Sequence, residues 1–332
     1  MNELVFDPAK PYDIIAFGRA CVDIYPNDIN CPLEDVGSFS FFIGGSPANT
    51  AAGTAKLGLK TGFVTKVADD KTSRIIFKKF KEYGIDTSEI KMDASGTTTQ
   101  IAIAEVASPK DSTIIFYRNG VSDINLLPSE VNEAYIASAK LLHISGTALS
   151  ASPSREAVLL ALAYASKHGV KISMDIDYRP FCWKSPQEVA VYYSIAAEKC
   201  DLIIGTREEF NAMEYVVAPG NTDDIKTAQR CFAGSSKIVL VKHGKEGSFA
   251  YTKSGVKVKG GIFDIPVVNT RGAGDSFAAG FLFGAIRGLD LETCLKYAAG
   301  TSSIVVSKND CSEAMPYLDE LERFMETHTF IN

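Results

Sequence analysis

The chain has 332 residues, 46% hydrophobic and 22% charged, a composition that suits a soluble folded protein with a sizeable core rather than a disordered one. With a net charge of −6 and no long basic run, neither a nucleic-acid footprint nor a membrane-surface patch is expected, and a small ligand fits better. No apolar run approaches membrane-spanning length, and the start MNELVFDPAKPYD lacks a basic-then-apolar signal, so membrane insertion and export are not expected.

Seven cysteines, odd in number and never in a CxxC pair, read as reduced thiols of a cytoplasmic protein. Four histidines, none in ligand spacing, argue against a zinc centre. In chain order, Tyr12–Phe17 is a short apolar run ending at Gly18, as expected of a buried strand, and Asp23 follows within one loop. Ser38–Ile43 alternates polar and aromatic residues before Gly44-Gly45, which suggests an edge or lid strand. In GGSPANTAAGTAKLG, Ser46 and Pro47 then open a helix.

Strand Gly62–Val67, helix Thr72–Tyr83, strand Leu141–Ser145, helix Ser154–His168 and strand Lys171–Asp175 alternate as βαβ units, which predicts a doubly wound, mostly parallel α/β sheet. Between them, Thr97–Val106 and Thr113–Arg118 read as a hairpin around SPKDS, part of a small β lid formed by segments near 20–45 and 96–120. Helix Pro186–Glu198, with Ser185 and Glu188 in capping-box spacing, is followed by strands Asp201–Ile204 and Lys237–Lys242. Two short antiparallel strands within Gly247–Lys259 precede the glycine-rich element, and helices Leu291–Val306 and Pro316–Met325 close the chain. Residues 1–332 are expected to form one domain.

The glycine-rich element, VVNTRGAGDSFAAGFLFGAIRG, carries the most chemistry. Gly272, Ala273 and Gly274 let backbone N–H groups approach an anion at the positive end of an amphipathic helix. Asp275, in the first turn of that helix, is placed to accept a proton from a hydroxyl. A tight turn with a helix-start charge is the plainer alternative.

GGSPANTAAGTAKLG and NTRGAGDSFAAGF together resemble the two signatures of the ribokinase-like (PfkB) carbohydrate kinases, and the resemblance runs from about Tyr12 to Met325. It implies that Asp275 is the base on the acceptor hydroxyl and that Gly272, Ala273 and Gly274 form the anion hole. Gly45 and Asn49 resemble sugar-contacting residues, with Asp23 as a further hydroxyl partner. In SMDIDYRPFCW, Arg179 resembles the arginine that meets an anionic substrate in keto-deoxy sugar acid kinases, and Arg118 matches its partner from the lid. Arg179 pairing with Asp175 or Asp177, or serving ATP phosphates, and Arg118 as an exposed strand residue remain the alternatives.

Glu208 resembles the glutamate that acts on Mg2+ through water, although Gly205 replaces the usual asparagine; Glu209 reads as a capping-box partner of Thr206. Lys242, Gly244 and Gly247 resemble a nucleotide-side loop, with a hairpin turn as the alternative, and Arg271 stands ready for a phosphate. Relatives hold a monovalent cation such as K+ with an aspartate where this chain has Asn269, which leaves K+ open. The family's lid sheet often pairs with a partner's, which implies a homo-oligomer through the lid.

Further stretches, among them SPSREAVL, IGTREEF, KHGKEGSFAY and LKYAAGTSSIVVSK, resemble the members of this family that phosphorylate 5-dehydro-2-deoxy-D-gluconate in bacterial inositol breakdown. The expectation is therefore an ATP- and Mg2+-dependent kinase of a sugar acid, with 2-dehydro-3-deoxygluconate or fructose as alternative acceptors. A non-catalytic nucleotide-binding regulator belongs to a different class, and retention of Asp275 argues against it. A dinucleotide oxidoreductase is opposed by the absence of GxGxxG after the first strand.

Overall fold

Every second residue of the central strands goes to one apolar layer and the intervening residues to another, which is why these strands read as unbroken hydrophobic runs. In the computed structural model, which describes residues 3–28, 30–108, 111–308 and 310–332, the chain runs as follows. Its first half comprises β1 (Tyr12–Phe17), β2 (Cys21–Pro26), β3 (Phe39–Gly44), α1 (Ser46–Lys56), β4 (Thr61–Ala68), α2 (Lys71–Tyr83), β5 (Asp86–Asp93), β6 (Ile101–Ser108), β7 (Asp111–Tyr117), α3 (Glu133–Ala137), β8 (Ala139–Ser145) and α4 (Ser154–Lys167). There follow β9 (Lys171–Asp175), α5 (Pro186–Ala197), β10 (Leu202–Thr206), α6 (Arg207–Met213), α7 (Asp224–Phe232), β11 (Ile238–Lys242), β12 (Ser248–Thr252), β13 (Lys257–Gly260) and β14 (Ile262–Phe263). The chain ends with α8 (Ala273–Ile286), α9 (Leu291–Val306), α10 (Leu318–Thr327) and β15 (Phe330–Ile331).

Nine strands form the main sheet in the order β13-β12-β11-β10-β9-β8-β1-β4-β5, parallel except where β12 and β13 add antiparallel at one edge. Ile15, Leu142, Ile203 and Val239 pack with Val158, Ala161, Val189 and Phe210 from α4 to α6. Their neighbours Ile14, Leu141, Leu202 and Leu240 pack with Phe277, Phe281, Leu295 and Leu321 from α8 to α10. Helices α1 and α2 cover the β1 and β4 end through Ala48, Ala51, Ile76 and Phe80. The doubly wound α/β architecture expected from the alternation is present.

A second sheet, in the order β3-β2-β6-β7, forms the lid. Its hairpin pairs Ile101 with Tyr117 and Ile103 with Ile115, while residues 109 and 110 of the SPKDS turn lie outside the described residues.

Several local expectations are corrected. Asp23 lies on β2, not in a loop, because Cys21–Pro26 pairs with both β3 and β6. DTSEIKMD, too polar to read as a strand, forms edge strand β5 along β4. The expected amphipathic helix α8 is instead buried on every side from Ser276 to Ala285, since α1 and α9 pack against it as well as the sheet. Its glycines permit that approach: a Cβ on Gly280 would come 2.4 Å from Thr301 Oγ1, and one on Gly284 2.9 Å from Cys294 Sγ. Among the described residues, no helix is long and apolar enough to cross a membrane.

Candidate active site

The parallel strands end on one side of the sheet, where ligands of open α/β sheets bind. There the carboxyl ends of β9, β10 and β11 deliver Asp175, Thr206 and Lys242, and α8 begins opposite them. Gly272 caps α8 with φ +70°, a left-handed conformation open to glycine at little cost, and the first intrahelical bond runs from Ser276 N to Gly272 O. The N–H groups of Gly274 and Asp275 consequently have no acceptor within the helix and form its positive end.

Two cavities meet at this helix start. One, of about 300 Å3, lies under the lid and is lined by Asp23, Asn49, Asp177, Arg179 and Asp275 among others. The other, of about 180 Å3, is lined by Thr206, Gly244, Gly247, Ala273 and Phe277. Lys242 and Gly274 line both, and a Cβ on Gly274 would lie 3.2 Å from Lys242 Nζ. The structure thus brings Gly45, Asn49, Asp23, Gly272, Gly274, Asp275, Arg179, Arg271 and Lys242 to one cavity and Gly244, Gly247 and Ala273 to its neighbour.

Asn49 Nδ2 donates to Asp275 Oδ2 at 2.8 Å, which leaves Oδ1 for another partner. Burial raises the Asp275 pKa above the usual carboxylate range, the nearby Asp177 charge adds to this, and the Asn49 bond partly opposes it. The result is a stronger proton acceptor than a free aspartate. Lys242 Nζ lies 3.3 Å from Asp175 Oδ2 and 4.0 Å from Glu209 Oε2. Burial opposes its charge, yet Asp175, Glu209 and Asp275 together hold its pKa above normal, so it stays a cation.

The Gly-Gly pair ahead of α1 is fixed by close contacts. Gly45 has φ +98°, and a Cβ there would sit 2.4 Å from the Arg19 carbonyl oxygen. A Cβ on Gly44 would meet the Asp23 carboxylate at 2.0 Å. Asp23 itself receives only long bonds, from Cys21 Sγ at 3.4 Å and Tyr25 OH at 3.5 Å, and burial raises its pKa.

The geometry departs from expectation at Glu208 and Arg118. Glu208 is solvent-exposed, whereas Glu209 lines the cavity, because Thr206 caps α6 and so turns its third residue, not its second, inward. Both Glu209 oxygens accept backbone N–H groups, from Thr206 at 2.7 Å and Tyr178 at 3.2 Å, so the capping role stands as well. Arg118 does not join the cavity: it pairs with Asp123 at 2.9 Å, donates to Gln100 and lines a separate depression with Asp70 and Thr99. Arg179 reaches the cavity but pairs with Asp177 at 2.8 Å, and Asp177 also accepts from Ser145 and Thr147.

Arg271 lines the cavity with its guanidinium turned to the lid, donating to the Glu105 carbonyl at 2.9 Å. Asn269 closes its own loop, with Nδ2 on the Lys308 carbonyl at 2.7 Å and Oδ1 accepting from Arg271 N at 2.8 Å. Sequence reasoning missed Arg19, a buried cavity residue just after β1, since a lone arginine behind a glycine carries no local signal.

A mostly parallel sheet with a lid, and a carboxylate at a helix start between two cavities, suit the transfer of a group between two bound ligands, the arrangement of a sugar kinase. The chain belongs to the pfkB family of carbohydrate kinases, whose family model matches residues 12–318. It is 52% identical to the 5-dehydro-2-deoxygluconokinase of Geobacillus thermodenitrificans (strain NG80-2), covering 98% of this chain and 96% of that protein. It is 50% identical to the 5-dehydro-2-deoxygluconokinase 1 of Bacillus cereus (strain ZK / E33L), over 98% of each. Among solved structures, fructokinase with bound ATP from Xylella fastidiosa superposes with a TM-score of 0.83 at 22% identity, covering 95% of this chain and 98% of that one. A putative ribokinase II in complex with ATP and Mg2+ from E. coli gives 0.84 at 21%, covering 96% and 100%. These two establish the fold.

Proposed function

We propose that this ATP-dependent sugar kinase transfers the γ-phosphoryl group to 5-dehydro-2-deoxy-D-gluconate, giving the 6-phosphate in myo-inositol breakdown. The observation that carries the choice of substrate is the identity of about half the residues, over 98% of the chain, with kinases named for that acid. The acceptor sits in the larger cavity and the nucleotide in the smaller. The 6-hydroxyl donates to Asp275 Oδ1, the oxygen that Asn49 leaves open, and gives up its proton as the bond to phosphorus forms. Phosphoryl transfer passes through a loose transition state, so the N–H groups of Gly272, Gly274 and Asp275 and the Lys242 ammonium do most of the work by meeting charge on the moving group, while the Ala273 N–H is held by the Thr270 carbonyl at 3.3 Å. Asp23 and Asn49 take substrate hydroxyls.

Among the described residues no three acidic, histidine or cysteine side chains converge as a metal site. Glu209 and Asp175, which line the acceptor cavity beside Lys242, would hold Mg2+ next to the ATP phosphates, where it would supply charge neutralisation. The Asn269 amide already satisfies the loop that holds a monovalent cation in relatives, which favours a K+-independent enzyme. We read residues 1–332 as one domain under a lid, and the scattered cysteines support a cytoplasmic location.

The lid's register supports self-association through its outer face. Phe41, Ile24, Ile103 and Ile115 form one row across all four strands, and Phe41 and Ile115 are exposed. The test of the substrate is a panel: purified protein with ATP and Mg2+, offered 5-dehydro-2-deoxy-D-gluconate, 2-dehydro-3-deoxy-D-gluconate and D-fructose. The highest kcat/KM is expected on the first, and a preference for fructose refutes the reading.

A further inference from the structure

Arg19 is out of balance with other inward-facing arginines. Arg155 donates to the Leu149 and Ser150 carbonyls and to Glu188, and Arg207 pairs with Glu214 and Asp224. Arg19 is 4% exposed and lines the larger cavity, yet its Nε and Nη1 have no hydrogen-bond partner. Among the described residues it makes no ion pair, although Asp177, Asp123 and Asp23 lie near enough to favour its charge. A guanidinium never loses its proton in a protein, so it cannot escape burial by becoming neutral. Leaving such a cation without partners is costly, and a cost of that kind retained in a cavity marks a group kept for a ligand.

The cavity's other cations are already engaged. Arg179 is held by Asp177, Lys242 by Asp175 and Glu209, and Arg271 donates to a lid carbonyl. Arg19 is fixed in place on both sides. Its carbonyl packs on Gly45, and its guanidinium lies 5.8 Å from the Phe116 ring of lid strand β7. The lid therefore touches the same group that faces the cavity.

We propose that Arg19 is the residue that reads the substrate's carboxylate, through a charge-assisted fork that a neutral sugar leaves unmade. The proposal rests on a sugar acid being the substrate. It moves the choice between acid and neutral sugars from the lid end of β7, where Arg118 is engaged with Asp123 and Gln100, to the turn between β1 and β2. It also gives the lid a part in specificity, since Phe116 orders the arginine only when β7 covers the cavity.

The test compares wild type, Arg19→Met and Arg19→Lys on 5-dehydro-2-deoxy-D-gluconate and on its uncharged methyl ester. Arg19→Met should lose about 10- to 100-fold in kcat/KM on the acid, mostly in KM, and at least tenfold less on the ester. Arg19→Lys keeps the charge without the fork and should fall between. Thermal melting separates recognition from folding. Arg19→Met should abolish the upward shift in melting temperature that the acid gives wild type, whatever its ligand-free melting temperature. Equal losses on acid and ester, or an acid-induced melting shift retained in Arg19→Met, overturn the role of Arg19 while wild type still prefers the acid. If wild type itself shows no preference for the acid, the substrate reading falls and the role of Arg19 falls with it.

Discussion

Replacing Asn49 by leucine should shift the acid limb of the kcat profile, because among the side-chain hydrogen bonds to Asp275 the one from Asn49 lowers its pKa most. Nδ2 donates to Oδ2 at 2.8 Å, and Thr50 Oγ1 reaches only the Asp275 carbonyl, at 3.4 Å. A hydrogen bond to a charged group contributes about 1.5 to 3 kcal/mol. Its loss should raise the Asp275 pKa further, beyond the increase that burial and Asp177 already cause. Only the ionised carboxylate accepts the hydroxyl proton, so the pH at which kcat reaches half its plateau should rise by the same amount. Leucine is chosen because it fills the volume of asparagine without donating. The assay is ADP release at saturating sugar acid across about pH 5 to 9, a range that brackets a raised carboxylate. KM should also rise, since Asn49 lines the acceptor cavity. An acid limb that stays in place while kcat falls equally at every pH would mean that Asn49 does not set the ionisation of Asp275.

Asp275→Asn should lower kcat on the order of 100-fold or more while ATP binding persists, as single-turnover and calorimetric measurements would show. Its melting temperature at neutral pH should hold or rise: a carboxyl whose folded pKa is raised contributes stability fully below its unfolded pKa and loses it as pH climbs through the folded pKa. A strong drop in stability at neutral pH would count against that burial. Glu209→Gln should raise the KM for MgATP roughly tenfold, about the worth of one charged interaction, whereas Glu208→Gln, on the exposed side of α6, should stay within about twofold; the opposite ranking would return the role to Glu208. Arg118→Met leaves Asp123 buried without its partner, so chemical denaturation should show a loss of about 3 to 5 kcal/mol. The ratio of kcat/KM on acid and neutral substrate should hardly move, and a collapse of that ratio in a stable protein would place Arg118 at the carboxylate.

The sequence alone determined what depends on neighbours along the chain. β1, β9 and α9 fall on the expected residues because apolar runs and helical spacing are local patterns. The glycine turn ahead of α8 was legible for the same reason: small residues followed by a helical pattern put Asp275 in the first helical turn, as expected. Only the tertiary structure decided which charges meet. One residue along a helix is a rotation of about 100°, so the choice between Glu208 and Glu209 turned on where the Thr206 cap set the start of α6. Arg118 and Arg179 look alike in sequence, but a nearby carboxylate took each: Asp123 drew Arg118 away from the cavity, and Asp177 engaged Arg179 within it. Arg19 makes no ion pair among the described residues. That lack is a property of everything packed around the β1–β2 turn, brought there from the lid, α1 and the ends of the parallel strands, and no stretch of sequence near Arg19 encodes it.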